Sequence, residues 1–371
     1  LANQNYATAT DSNNTAVGHS AGLSVTTGTQ NTIMGGEAAR SLTEGALNTV
    51  VGRAALYSDT LGNYSVAIGR EALYSQNFTS DFNTYNTAVG YKAGTSVTTG
   101  DSNTLIGGLA GDALTVGNAN VAVGRGALGT DTKGDRNIAI GYEALANQNF
   151  TTTTDSLNTA IGYQTAHDIT TGFYNTLIGG VCGDQLTDAD YNVAMGVSTL
   201  GADTLGSRTT AIGYAALAGQ NFTTATNSYN TALGFQTGLY LTTGQYNTFV
   251  GGEAAQGSSS TALTGDSNVC VGYRAGYRLE GNANENTIVG KDAGVLLTTG
   301  DQNTIIGNTS CDNVLVNGSG NTVIGHNTDT SASGGSNQIV IGSNVDGGGN
   351  STARLGTSSG FATLDIDGSD T

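Results

Sequence analysis

Proline and tryptophan are absent from this chain of 371 residues, and only 11% of the residues are charged. Without proline, and without glycine at every third position, the chain is not a collagen-like helix. No apolar run approaches the roughly 18 residues that a membrane-spanning helix needs, and no basic segment followed by an apolar one indicates a signal peptide. We therefore expect no membrane insertion in this segment.

Positive charge is also scarce, since the chain has 12 lysines and arginines but 29 aspartates and glutamates. The formal net charge of -17 repels phosphate backbones, which argues against nucleic acid as a partner. The three cysteines, Cys182, Cys270 and Cys311, lie far apart and lack the spacing of zinc ligands. Cys182 and Cys270 occupy repeat positions that elsewhere hold Ala, Val or Leu, so we expect small buried side chains there.

Glycine, by contrast, is abundant, and much of it ends a repeated word, Asn-Thr-apolar-apolar-Gly. Successive final glycines are separated by 17, 17, 17 and then 21 residues, and this set of four coils occurs three times. The first two sets are marked by Gly18, Gly35, Gly52, Gly69, Gly90, Gly107, Gly124 and Gly141, and the third begins at Gly162. Short fixed periods are typical of solenoids. The sequence therefore predicts an all-β protein, a parallel β-solenoid of about twenty short coils.

One coil can be outlined from the word at residues 86–90. Its central residues, Ala88 and Val89, alternate across a short strand, and both positions are apolar at almost every occurrence. We assign the second position to the interior of the coil and the first, most often alanine, to the outer face. The asparagines that open successive words are predicted to stack as an amide ladder. A small residue three positions after the glycine, such as Ala93, is expected to begin a second, narrower strand.

The outer alanines are the candidate contact between chains. A thin, glycine-rich coil buries little apolar surface alone, so we expect partner chains to cover a second apolar face. The candidate seam of a homotrimer is the column Ala16, Ala88, Ala160 and Ala232. A wider single-chain helix that covers both faces itself is the alternative.

No catalytic, cofactor or metal site is predicted, and we expect that the chain is not an enzyme. His19, His167 and His326 lack a periodic carboxylate or serine partner. Aspartates cluster in turns, as in residues 131–136, and turn formation explains them. The nonapeptide pattern of calcium-binding rolls does not occur.

Aromatic residues at regular heights are the candidate binding residues. Tyr91, Tyr163 and Phe235 each follow a repeat glycine and are separated by one four-coil set, and Tyr142 and Tyr214 form a second such pair. We expect them either to contact a cell-surface glycan or receptor, or to pack over a neighbouring corner. The threonines of the word could suggest an ice-binding face, but they sit beside a strand that we predict to be buried.

Two families share these words. Residues 137–145, Asn-Ile-Ala-Ile-Gly-Tyr-Glu-Ala-Leu, resemble the head repeats of trimeric autotransporter adhesins, and residues 86–114 resemble the repeats of phage-type tail-fibre proteins. Residues 349–356 are similar to the segment that precedes the intramolecular chaperone of such fibres. The resemblance implies a left-handed, YadA-like parallel β-roll that trimerises. Most coils here, such as the one from Gly18 to Gly35, are longer than the short adhesin coil.

We therefore expect the non-enzymatic shaft of a phage tail fibre or related surface fibre, on a virion or at a cell surface. The alternative is the head or stalk of a bacterial adhesin of the autotransporter type. A monomeric right-handed β-helix enzyme acting on polysaccharide is disfavoured by the short coils and scarce paired carboxylates. The predicted organisation is a regular shaft at 1–251, less regular coils at 252–342 and a C-terminal transition segment at 343–371.

Overall fold

The computed structural model of the protein describes residues 1–365, which fall into two compact units, residues 1–188 and a second that begins at Ala189. Both units are parallel β-solenoids, with about twenty turns in all, and the described residues contain no helix. The predicted fold class, an all-β parallel solenoid of short coils, is thus confirmed. Residues 366–371 of the predicted transition segment lie outside the described residues.

The repeated word forms one short strand in each coil, which we call the ladder strand. Successive ladder strands pair in parallel and in register, so that Ala88 aligns with Ala67 of the preceding coil and Leu105 of the following one. In residues 1–188 the ladder strands are Thr15–Val17, Thr32–Met34, Thr49–Val51, Val66–Ile68, Thr87–Val89, Thr104–Ile106, Val121–Val123, Ile138–Ile140, Thr159–Ile161 and Thr176–Ile178.

The second unit repeats this arrangement and then ends it differently. Its parallel ladder strands are Val193–Met195, Thr210–Ile212, Thr231–Leu233, Thr248–Val250, Val269–Val271, Thr287–Val289, Thr304–Ile306, Thr322–His326, Ile339–Ser343 and Thr352–Thr357. The strand Gly360–Asp365 then turns back and pairs antiparallel with Thr352–Thr357.

A shorter strand pair accompanies the longer step of each four-coil set, and we call the coil that makes this step the long coil. Gly62–Asn63 pairs with Phe82–Asn83, and Gly134–Asp135 pairs with Thr154–Asp155 in the first unit. Gly206–Ser207 pairs with Thr226–Asn227 in the second unit. The pairs follow one another at the interval of a whole set, so the longer period of the sequence is also a structural period.

Each three-residue ladder strand is followed by a corner that only glycine fits. Gly90 has a φ of +142°, and a β carbon on it would overlap the carbonyl oxygen of Gly107 in the next coil. An L-residue is strained in this backbone region and would also clash with the neighbouring coil. The predicted role of the repeat glycine as a corner with positive φ is confirmed.

The predicted second strand is wrong, because the chain after the corner forms turns. Residues 91–96 are turn residues, and Lys92 has a φ of +55°. Left-handed residues interrupt an extended strand, yet the coils still pair here: the N–H of Gly94 donates to the carbonyl oxygen of Ala110 at 2.9 Å. Hydrogen bonds between neighbouring coils are therefore present here without a strand.

The core of a coil is narrow. In the coil that begins at Asn86, the side chains of Ala88, Ala93 and Val97 are completely buried, as is Asn86 itself. Small side chains allow opposite walls of the coil to approach, and one aliphatic group fills the remaining space.

The opening asparagines form a continuous polar spine inside this core. The N–H of Asn103 donates to Oδ1 of Asn86 at 2.9 Å, and Asn120 repeats the bond to Asn103 one coil later. The side-chain amide of Asn103 also donates to the carbonyl oxygen of Gly117 at 2.9 Å. These bonds satisfy buried backbone groups that no strand partner reaches. The predicted amide ladder is confirmed.

The extra residues of the long coil add a buried glutamine to this spine. Nε2 of Gln76 donates to Oδ2 of Asp59 at 2.7 Å and to Oγ of Ser65 at 2.8 Å, while its Oε1 accepts from Asn86 at 2.9 Å. Gln76 thereby bridges the coil in which Ser65 replaces the asparagine. Burial raises the pKa of the Asp59 carboxyl, although hydrogen bonds from Gln76 and from backbone amides oppose the shift. The glutamine–aspartate bond and the bond from the next asparagine recur at Gln148 with Asp131 and at Gln220 with Asp203.

Candidate functional site

The outward face of the ladder strands carries an unbroken line of aliphatic side chains. In the strand Thr87–Val89, Ala88 points inward and Val89 outward, with Thr87 beside it. In residues 1–188 the outward line, which we call the apolar column, is Val17, Met34, Val51, Ile68, Val89, Ile106, Val123, Ile140, Ile161 and Ile178. In the second unit it is Met195, Ile212, Leu233, Val250, Val271, Val289, Ile306, Ile324, Ile341 and Leu355.

Many of these side chains are well exposed for aliphatic residues. Val17 is 56% exposed, Met34 44% and Ile106 39%. The first strand position, which also points outward, holds Thr, Val or Ile throughout residues 1–188 and adds no charge. A contiguous uncharged apolar surface of this kind usually marks an interaction site.

The predicted seam residues are located on the other side of the strand. Ala88, Ala160 and Ala232 are completely buried in the core of their own chain, and Ala16 is partly exposed. The assignment of the two apolar positions to the inside and outside was therefore wrong. Side-chain size does not indicate the face, because the inward position holds Leu105 and Phe249 as well as alanine, and both of these large side chains are completely buried. The second apolar position, Val89 in this strand, was predicted to lie inside but points outward, and its side chain is accessible to a partner.

Within each unit, the predicted aromatic residues stand in one exposed line. The residue after each repeat glycine forms what we call the corner column, and Tyr91, Tyr142 and Tyr163 are 47%, 39% and 56% exposed there. In residues 1–188 the corner column is His19, Gly36, Arg53, Arg70, Tyr91, Gly108, Arg125, Tyr142, Tyr163 and Gly180. Tyr214 and Phe235 belong to the corresponding column of the second unit, each 51% exposed.

A neighbouring ring or guanidinium covers at least one face of each predicted aromatic residue in the corner column. The rings of Tyr142 and Tyr163 are 5.5 Å apart between centroids, and those of Tyr214 and Phe235 are 5.4 Å apart. The guanidinium of Arg70 lies 5.8 Å from the ring centroid of Tyr91 on the side of the preceding coil. Tyr142 is covered on both faces, because Arg125 approaches its other side at 5.5 Å. Of the candidate glycan-contact residues, Tyr91 and Tyr163 precede a glycine whose surroundings are open, Gly108 and Gly180, and keep an open face.

A second aromatic column, which was not predicted from the sequence, lies on another corner. It consists of the residue before each position of the polar spine, and it contains Tyr64 and Tyr85, whose rings stack at 5.3 Å. In the second unit Tyr229 and Tyr246 stack at 5.5 Å, and Arg208 lies 5.9 Å from the ring of Tyr229. Aligning the residue before each spine position at the repeat period would have revealed this column.

Titratable side chains give little sign of chemistry. The three cysteines are buried, as predicted for Cys182 and Cys270, and burial raises the pKa of the Cys182 thiol to about 12. Nδ1 of His167 lies 2.6 Å from a carboxylate oxygen of Asp168. Among residues 1–365 there is no group of three His, Cys, Asp or Glu side chains that could hold a metal ion. In the same range, no helix has the length and apolar character needed to cross a membrane.

Comparison of the chain with protein-family models and with curated protein sequences finds no match.

Proposed function

We propose that this chain is the non-enzymatic shaft of a phage tail fibre or related surface fibre, that it acts outside the cell, and that it assembles as a homotrimer. The shaft would hold a receptor-binding tip away from the body that carries it. The observation that supports the proposal most is the apolar column, which is uncharged in every coil and partly exposed in a single chain.

The regular spacing of this column favours copies of the same chain as partners. Every coil rises by one strand spacing, about 4.8 Å. Identical chains placed side by side around a common axis therefore match one another coil for coil, which an unrelated partner surface would not do. A closed ring of copies covers the apolar column of each member. Three copies is the number that the resemblance to trimeric β-rolls implies.

The mass of the native particle tests the assembly. Light scattering coupled to gel filtration should give three times 37.3 kDa. A monomer at micromolar concentration would contradict the proposed trimer. A monomer that also inhibits ice growth would instead favour the ice-binding alternative, since the same face carries outward threonines.

A pair of charge substitutions tests which side of the strand is the contact. Ile106→Glu puts a charge on the outward column, and we expect monomers with an unchanged β-sheet circular dichroism spectrum. Ala88→Glu puts a charge into the chain's own core, and we expect loss of folded structure instead. Thr99→Glu, at an exposed bend, is the control that should leave both properties unchanged.

The choice between the fibre and the adhesin depends on the neighbouring sequence. A chaperone segment encoded downstream would support the phage fibre, whereas a membrane anchor would support the autotransporter-type adhesin. Sequencing the gene beyond both ends of this segment makes the distinction directly.

A further inference from the structure

The corner column contains glycines that neither the backbone nor the packing requires. Gly108 and Gly180 do not have the positive φ of the corner glycines that precede them. A β carbon on Gly180 would meet no atom within 4 Å, and one on Gly108 would meet only the carbonyl oxygen of Tyr91 at 4.0 Å. Other coils place Arg, Tyr or His at the same position. The effect of these glycines is to leave space.

The space lies directly over an aromatic ring. Gly108 follows Tyr91 by one coil in the corner column, and Gly180 follows Tyr163. Arg70, from the preceding coil, covers the face of Tyr91 that is turned toward that coil, and the ammonium of Lys92, which also contacts Glu71 of the preceding coil, lies 5.6 Å from the ring centroid. The upper face of the Tyr91 ring therefore opens onto the position that a side chain at Gly108 would fill.

The next residue of the column leaves this space empty. Arg125 turns away from Gly108 toward the following coil, where its Nη1 donates to the hydroxyl oxygen of Tyr142 at 3.0 Å and lies 3.3 Å from Glu143. Stacked rings in neighbouring coils of this column stand 5.5 Å apart. The gap between Tyr91 and the level of Arg125 spans two coils, about 10 Å, which leaves room for one ring.

The second unit shows what the space accepts. Phe235 is followed by Gly252, and there the chain places its own ring over the glycine. Cδ2 and Cε2 of Tyr273 lie 3.6 and 3.9 Å from the position that a β carbon on Gly252 would take. A six-membered ring thus fits beside the glycine at this corner.

A polar depression adjoins the space above Tyr91. It has a volume of about 290 Å³ and begins at Leu109, the residue that directly follows Gly108. Its lining also includes Asp112, Arg125, Thr130, Glu143 and His167. An apolar surface for a ring face next to several hydrogen-bonding side chains is the usual composition of a small-molecule site.

We propose that Tyr91 with Gly108 forms a slot for a neutral hexopyranose residue of a polysaccharide, and that Tyr163 with Gly180 forms a second one. The C–H groups on one face of a pyranose pack on the negative face of an aromatic ring. The near end of the depression, at Leu109 and Asp112 in the coil of Gly108, offers a carboxylate to the hydroxyl groups of a neighbouring sugar residue. The net charge of -17 disfavours anionic polymers. The proposal does not depend on whether the chain is a fibre.

The absence of tryptophan allows a direct test. In a Tyr91→Trp variant, the only indole of the chain forms the floor of the slot. The probes are hexasaccharides of glucose (maltohexaose and cellohexaose), mannose and galactose, with phenol as an aromatic probe. We expect at least one hexasaccharide to change the tryptophan emission in a saturable way.

Filling the slot should abolish this response. Gly108→Tyr introduces a ring that stacks on residue 91 without a backbone clash, and we expect affinity to fall at least tenfold in the Tyr91→Trp background. Tyr64→Trp is the matched control, because Tyr64 is similarly exposed but has no open slot above it. One coil after Tyr64, where the corner column has Gly108 after Tyr91, the second column has Tyr85, whose ring stacks on Tyr64. That variant should not respond.

Four results would overturn the proposal. The first is that no hexasaccharide changes the tryptophan emission, and the second is that Gly108→Tyr leaves the change intact. The third is that phenol alone changes the emission, and the fourth is that the emission changes only with protein concentration. The last would mean that a second copy of the chain fills the slot. The mass of the particle is measured independently, so failure of the slot and failure of the proposed trimer are distinguishable.

Discussion

The backbone N–H of Asn120 donates to Oδ1 of Asn103, one coil earlier, at 2.9 Å. Both side chains are completely buried, and the side-chain amide of Asn103 is used as well, toward the carbonyl oxygen of Gly117. A side chain here completes the hydrogen bonding of a backbone corner that the ladder strands leave open. The buried polar spine is thus part of the fold and not a functional site.

Removing one asparagine of the spine should be costly. Asn103→Ala leaves the N–H of Asn120 and the carbonyl oxygen of Gly117 buried without a partner, and we expect a loss of about 2–4 kcal/mol in unfolding free energy. Urea unfolding followed by circular dichroism measures it. Asn118, which accepts the N–H of Asp101 at 2.9 Å but is partly exposed, is the control. If Asn118→Ala costs as much as Asn103→Ala, burial is not the cause.

Two adjacent glycines should respond in opposite ways to the same substitution. Gly107 has a φ of +133°, and its β carbon would lie 2.5 Å from the carbonyl oxygen of Gly124, so Gly107→Ala should destabilise the protein by more than about 3 kcal/mol. Gly108→Ala meets no such contact and should change stability by less than about 0.5 kcal/mol. Thermal unfolding of the two variants side by side gives the comparison. Equal losses would argue against the described corner geometry.

The glutamine of the long coil should protect a buried carboxylate. Gln148 donates to Oδ2 of Asp131 at 2.7 Å, so Gln148→Ala leaves that carboxylate with one donor fewer in the core. We expect a loss of about 3 kcal/mol, measured by urea unfolding. The neighbouring Asn149 is exposed, and Asn149→Ala should have little effect. A larger loss from Asn149→Ala would contradict the proposed role of the bridge.

Stability of the second unit should depend on the protonation of Asp329. Burial raises the pKa of this carboxyl to about 6, and the nearby Asp312 and Asp346 carboxylates add to the shift. The folded state therefore holds the proton more tightly than the unfolded state. The stabilisation is complete below the ordinary pKa of 3.8 and is lost as pH rises through about 6.

An Asp329→Asn variant removes this titration. The melting temperature of the native protein, relative to that of Asp329→Asn, should fall as pH is raised from 4 to 7. Differential scanning calorimetry at several pH values measures the difference. A constant difference across this range would show that Asp329 does not titrate in the folded protein near pH 6.

The solenoid fold could be predicted from the sequence, but the side chains that point inward could not. The regular return of the repeat glycine predicted the solenoid, and the fixed place of Asn103 in its word predicted the spine. The two apolar positions, such as Ala88 and Val89, could not be assigned to faces by pattern, because both are apolar and the strand has only three residues. Alternation establishes that they point in opposite directions, and the path of the chain around the coil decides which one points inward.

The candidate binding residues show the same limit. The regular spacing of Tyr91 and Tyr163 predicted a column, but not which ring faces are covered. That depends on the residues one coil before and after, Arg70 and Gly108 for Tyr91, which become neighbours only when the coils are stacked. The second column, with Tyr64 and Tyr85, was not predicted, because only aromatic residues that directly follow a repeat glycine were compared between coils. Tyr64 and Tyr85 directly precede a position of the polar spine instead.

The four-coil set makes a chain of this kind easy to lengthen or shorten by recombination. Buried contacts join a residue to its counterpart one coil away, as Asn103 to Asn120, and each set carries one glutamine bridge, as at Gln148. A duplicated or deleted set would therefore meet the same neighbours that the original met. Each event would change the reach by about 19 Å without redesigning the core. The unit of inherited length change in this solenoid is therefore the gene segment that encodes one set of four coils.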